Sequence, residues 1–256
     1  MLNPSADGFG TLKEPKGPRQ PAYLENCPAL SFVGLNLYLP PESPVSDFRA
    51  ALARYRVSRN IPSITETNSD RGPAALRLAF IAVGEFGAPI FALWALSDSY
   101  PISFQPYVLP DGNLANGAPA LRDTYTSLRA ALPQIAYHAG TENLKVFMSR
   151  LPGEKFSETK EVGGAKAVVS GEDNGQAIVI HPAPNEFIHM GHPCDVTLTD
   201  DTFRWPSVRK VRVERGRYVG REWKNEGNPA SFYAFHTEAR SLDVPLMVPQ
   251  VVRVYW

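Results

Sequence analysis

Little in this sequence is extreme, and its absences narrow the field first. Of 256 residues only two are cysteine, Cys27 and Cys194, and they lie far apart. A disulfide scaffold is therefore excluded, and both read as buried or free thiols. Charge of one sign is missing too: 26 basic residues balance 26 acidic ones, for a net charge of zero. That balance gives no reason to expect nucleic acid or an anionic membrane as partner. The longest apolar run, Phe86 to Leu96, falls far short of the roughly 20 residues that cross a bilayer. Met1-Leu-Asn-Pro-Ser-Ala-Asp-Gly8 has neither a basic n-region nor an apolar h-region, so no secretory signal is expected. The glycines at 163–164 and 171–175 follow no phosphate-binding pattern, and no cofactor is expected.

What is present is an ordinary globular composition, 43% hydrophobic and 20% charged. Three runs stand out: Leu30 to Leu39, stopped by Pro40-Pro41; the short β-branched run from Pro62 to Asn68; and Pro89 to Leu96. Continuous rather than alternating hydrophobicity marks strands covered on both faces, as in parallel sheets. A helical pattern follows each run. Ser46 or Asp47 can cap a helix to about Arg56, with Phe48, Ala51, Leu52 and Tyr55 on one face. Pro73 opens a second helix that Gly87 ends. A third spans Pro119 to about Tyr137, with Leu121, Tyr125, Leu128, Leu132 and Ile135 as its apolar stripe. The order β-α-β-α-β-α predicts right-handed crossovers and a parallel sheet.

Past Gly140 the character changes. Val146 to Met148, Ala165 to Val169, Gln176 to Ile180, Val196 to Leu198, Val208 to Val213 and Val251 to Tyr255 are short strand-like runs separated by Gly, Asn and Asp. The expectation is an α/β domain over residues 1–140 followed by an all-β sandwich or jelly roll over 141–256.

Glu66 is the first candidate for chemistry, as a carboxylate ending a predicted parallel strand, where α/β barrels place their active sites. Thr65 and Thr67 should point away from it, and Asn68 could hydrogen-bond nearby. A strand-end glutamate can equally cap the next helix. Asn36, Tyr38 and Trp94 end the neighbouring runs, so all of them are expected on one rim. An aromatic platform beside carboxylates and amides suits a sugar, whose C–H face stacks while polar groups take the hydroxyls. Asp98, just after the third run, either binds a hydroxyl or caps a loop. His189 and His192 are spaced for a metal but lack further ligands nearby, and no metal is expected. Cys194 has only His192 as a sequence neighbour to activate it. His138 and His236 stand isolated, and Lys13, Lys16 and Arg19 read as a solvated loop.

These residues carry a family resemblance. Leu30 to Leu39, Pro62-Ser-Ile-Thr-Glu66-Thr, Val83-Gly84-Glu85-Phe86-Gly87-Ala88 and Phe91-Ala-Leu-Trp94 resemble the second half of a glycoside hydrolase family 35 barrel. The likeness is to bacterial β-galactosidase-like proteins with a C-terminal β-domain of unknown function. Val108 to Gly112, Gly175 to Ile180, Asn185-Glu-Phe187 and Glu214 to Trp223 look like the rest of that subgroup. Order and spacing carry the likeness, not any single motif. It implies about three β/α units of a partial (β/α) barrel followed by the β-domain.

The resemblance makes Glu66 the nucleophile that ends strand seven, forming a glycosyl-enzyme while a carboxylic acid about 5 Å away protonates the leaving oxygen. In that clan the acid follows an asparagine at the end of strand four. Asn185-Glu186 lies in the β-domain and Asn225-Glu226 in a predicted turn, so neither fits. The expectation is a chain acting on a galactoside or related sugar, with its acid on a separately encoded N-terminal half and essentially no activity alone. A non-catalytic sugar-binding or scaffold protein is the alternative. A third is a complete small enzyme pairing Glu66 with Asp98 or Glu85.

Overall fold

The computed structural model describes residues 26–29, 32–40, 43–56, 60–68, 73–94, 107–109, 111–199, 211–230, 233–236 and 241–256. The chain divides into two compact units, Met1–Leu121 and Arg122–Trp256.

In the first unit β1 (Gly34–Leu37), β2 (Ser63–Asn68) and β3 (Phe91–Trp94) pair in parallel in the order β1-β2-β3. Between β1 and β2 runs α1 (Val45–Tyr55), which buries Val45, Phe48, Ala51 and Leu52. Pro44, not Ser46 or Asp47, occupies its N-cap and supplies no side-chain hydrogen bond. Burial of Val45 draws the helix start ahead of the polar pair. After β2 comes one turn of helix, α2 (Pro73–Leu76), then a turn at Arg77 and a π-helical stretch, Phe80–Glu85. Phe80, Ile81 and Ala82 are buried in succession there, which a one-sided helical stripe does not do. Gly87, at φ 66°, lets the chain leave the helix.

One polar residue secures the approach to β1. The Asn60 side chain is buried; its Oδ1 accepts from Val33 N at 2.7 Å, and its Nδ2 donates to the carbonyls of Val33 and Tyr55. It thus serves backbone groups that would otherwise be buried without partners.

The helix α3 (Ala118–His138) begins in the last residues of the first unit and continues into the second. Its buried positions include Thr124, Ser127, Leu128, Ala131, Ile135 and His138. Tyr125 and Leu132, expected on the apolar stripe, are 39% and 46% exposed. Small and hydroxyl side chains face inward in their place.

The second unit is built on two long strands, β6 (Ala165–Ala183) and β7 (Glu186–Thr199), which pair antiparallel. Outside β6 lie β4 (Leu144–Met148) on its later half and β5 (Phe156–Val162) on its earlier half. Outside β7 lie β12 (Gln250–Tyr255) along 186–191 and β11 (Ser241–Leu246) along 194–199. β8 (Arg212–Val219) joins β12, β9 (Glu222–Gly227) joins β8, and β10 (Ala234–His236) joins β11. All nine described strands form one sheet.

That sheet folds over on itself. Gly171 faces Cys194 and Gln176 faces His192, so residues 172–175 stand opposite Pro193 alone. Asp173 and Asn174 take positive φ there, at 43° and 69°. Extra residues on one strand bend and twist the ladder. The two halves then share one core: Val169, Val196, Leu198 and Leu242 come from one half, and Phe147, Val179, Phe187 and Val252 from the other.

The structure corrects the expected architecture. The protein is mostly β-sheet, and no partial (β/α) barrel forms among the described residues. The three short parallel strands make an open sheet, whereas closure takes about eight tilted strands in a fixed stagger. Alternation of strand and helix predicts parallel neighbours but says nothing of closure. The β-rich region is one antiparallel sheet folded over a shared core.

Candidate functional site

Parallel pairing of β1 with β2 sets Asn36 directly beside Glu66. The ladder shifts register between Leu35 and Asn36, and this irregularity re-aims the side chains that follow. Glu66 is half-buried and held at both oxygens. The Asn36 amide donates to Oε2 at 3.0 Å, and the Tyr38 hydroxyl donates to Oε1. A carboxylate gripped by two donors from one neighbouring segment has little freedom to turn.

Thr65, set aside in the sequence as pointing away from Glu66, acts on it through Asn36. Its Oγ1 lies 2.9 Å from the Leu35 carbonyl and 3.0 Å from Asn36 Oδ1. Donation to the amide oxygen turns the amide nitrogen toward Glu66, so Thr65 orients Asn36 and Asn36 orients Glu66. Gly34 leaves room for this: a Cβ there would come within 2.4 Å of the Thr65 methyl. The Thr67 hydroxyl donates to the Leu37 carbonyl at 2.6 Å. A threonine flanking a strand-end carboxylate, across from a glycine, was the available signal.

The remaining sequence candidates fall differently. Trp94 ends β3 in register with Asn68, but the side chains of both lie outside the described residues. Asp98, Lys13, Lys16 and Arg19 lie outside them entirely. Glu85 is committed elsewhere. Arg49 Nε reaches Glu85 Oε2 at 2.8 Å and Arg49 Nη2 reaches Oε1 at 2.6 Å, a two-pronged pair that ties the π-helical stretch to α1.

In the second unit, His189 is fully buried on β7 and His192 is half-buried near the bend. Burial pushes the His189 imidazole down to about 3, so it is neutral at pH 7. Among the described residues no group of three or more His, Cys, Asp or Glu side chains is placed to hold a metal ion. Cys194 is buried, and burial followed by the Asp195 charge pushes its thiol up to about 12. A thiol so rarely ionised is a poor nucleophile. Cys27 and Cys194 are both free thiols.

Comparison with known families adds one finding. Residues 121–228 match a family described as a domain of unknown function, DUF5597, which is less than half of the chain and lies almost wholly in the second unit. No curated protein matches the sequence.

Proposed function

We propose that Glu66 is the nucleophile of a retaining glycosidase of β-galactosidase type, with a terminal β-galactosyl residue or related sugar as substrate. The observation that carries this reading is the Asn36–Tyr38–Glu66 cluster at the ends of adjacent parallel strands. The family 35 resemblance gives Glu66 that role, and a domain of unknown function in the second unit accords with it. In the first step a Glu66 oxygen attacks the anomeric carbon as the glycosidic bond breaks, and the leaving oxygen takes a proton from an acid. In this reading a partner chain supplies that acid. Water then attacks the anomeric carbon, gives up a proton to the same group and releases Glu66. Asn36 and Tyr38 hold the carboxylate in line for both steps.

One observation favours a second reading, a sugar-binding protein without turnover. Glu85, a candidate partner acid in the sequence, is engaged by Arg49 on both oxygens. In this reading Glu66 only accepts hydrogen bonds from sugar hydroxyls and attacks no carbon.

Incubation with 2-deoxy-2-fluoro-β-D-galactosyl fluoride separates the two, because fluoride departs without needing a proton. Mass spectrometry of the intact protein and of its peptides should find one adduct, on Glu66, that is absent from Glu66→Gln. Absence of an adduct alongside measurable galactose binding would leave only the binding reading. Absence of both would sink each of them.

A further inference from the structure

The second unit holds a cleft of about 790 Å³ that the Glu66 reading does not use. Its volume falls in the range of small-molecule sites, roughly 300–1,000 Å³. Three places in the fold build it: the C-terminal end of α3 with Gln134 and Tyr137, the β6–β7 turn with Glu186, and the β8–β9 and β12 segments with Trp223 and Arg253.

Its polar groups are fixed. Arg253 donates from Nε to Glu186 Oε1 at 2.8 Å and from Nη2 to Oε2 at 2.9 Å, and the Tyr218 hydroxyl lies 3.2 Å from Oε1. The pair with Glu186 uses two of the five guanidinium N–H groups and leaves acceptor capacity on the carboxylate. An adjacent donor and acceptor of this kind match a pair of neighbouring sugar hydroxyls.

Its aromatic groups are fixed as well. The Trp223 indole N–H donates to Glu214 at 2.9 Å, and Glu214 also accepts from the Tyr255 hydroxyl at 2.7 Å. Gly216 lets the indole lie close to the backbone, since a Cβ there would stand 2.8 Å from the ring. Tyr218 meets the indole edge-on, with ring centroids 5.2 Å apart. Tyr137, from α3, is 80% exposed, and His138 meets it edge-on at 4.9 Å. An exposed ring beside a cleft adds little to the fold and stays open to the apolar face of a ligand.

We propose that this cleft is a carbohydrate-binding site, separate from Glu66 and independent of its reading, in which Tyr137 and Trp223 cover the C–H faces of a neutral β-1,4-linked disaccharide. The Glu186–Arg253 pair takes its hydroxyls. A neutral sugar fits the charge pattern, because that carboxylate and guanidinium neutralise each other, and the other charged lining residue, Arg221, is exposed to water. An equatorial β-1,4 linkage makes a flat ribbon, which two rings can cover at once.

Isothermal titration of the full chain with cellobiose, xylobiose and β-1,4-mannobiose tests this. None carries a galactosyl group, so the outcome is distinct from that at Glu66. At least one should bind saturably, and Tyr137→Ala and Trp223→Ala should each weaken it roughly tenfold, the size of one aromatic contact. Trp223→Phe, which keeps a ring, should recover part of the loss, and Glu66→Gln should change nothing. Tyr137→Ala removes an exposed side chain, so its melting temperature should match wild type and its loss of binding report the site. No saturable binding by any of the three sugars overturns the proposal. So does binding that survives both alanine variants, or that disappears with Glu66→Gln.

Discussion

His189 shows what complete burial does to one side chain. It shares the β7 face of Phe187, which looks into the core between the two halves of the sheet, and among the described residues neither ring nitrogen has a hydrogen-bond partner. Its folded value of about 3 lies below the ordinary 6.5, so the unfolded chain takes up the proton first. Stability from this residue is therefore full above pH 6.5 and falls on acidification towards pH 3, by about 1.4 kcal/mol per unit, or roughly 2 kcal/mol at pH 5. Urea titrations at pH 7 and pH 5 should show that loss, and His189→Leu should remove the largest single part of it. An unchanged pH dependence in His189→Leu would mean that other groups carry it. In the sequence this residue is one of two histidines spaced for a metal but without further ligands nearby, because spacing is visible there and burial is not. At Glu66 the balance is reversed: a strand-end position was legible, while the Thr65–Asn36–Glu66 chain depended on which oxygens come into reach.

Among the elements, β6 and β7 decide the second unit. Read locally, Ala165 to Val169 and Gln176 to Ile180 are two strands with an Asp-Asn-Gly turn between them. In the structure they are one strand, because β7 pairs with both stretches and residues 172–175 bulge out opposite Pro193. The bend needs Gly191. It sits at φ 146°, and a Cβ there would lie 2.0 Å from the Gln176 carbonyl oxygen. Neither backbone can yield without breaking the ladder, so Gly191→Ala should destabilise the protein by about 3 kcal/mol or more. Gly220→Ala is the control, since φ is also positive at 60° but nothing lies within 4 Å. Equal melting temperatures for the two variants would show that the close approach at Gly191 does not matter. The strands β5, β9 and β10 went unread in the sequence because their hydrophobicity is low and only pairing with a neighbour makes them strands, and β11 because Pro245 interrupts its alternating Leu242, Val244 and Leu246.

At the scale of the molecule, the second unit encloses a hydrophobic core drawn from β4 to β8, β11 and β12. A unit with its own core folds by itself. A chain of residues 118–256, which keeps α3 whole, should melt cooperatively and show a β-type circular dichroism spectrum. A gradual, non-cooperative loss of signal would show that the core is insufficient without the first unit.

From the sequence alone come the three apolar runs, the helices at α1 and α3, the change of character after Gly140, and Glu66 at the end of its strand. Each follows from side chains within a few residues of one another, where periodicity, proline and glycine act. Only the tertiary structure decides that the parallel strands stay an open sheet, that β6 and β7 cross the bend unbroken, and that Glu186, Trp223 and Arg253 meet at one cleft. Those outcomes depend on pairing between residues far apart in the chain. The free energy of that pairing lies in register and close packing, which no local pattern records.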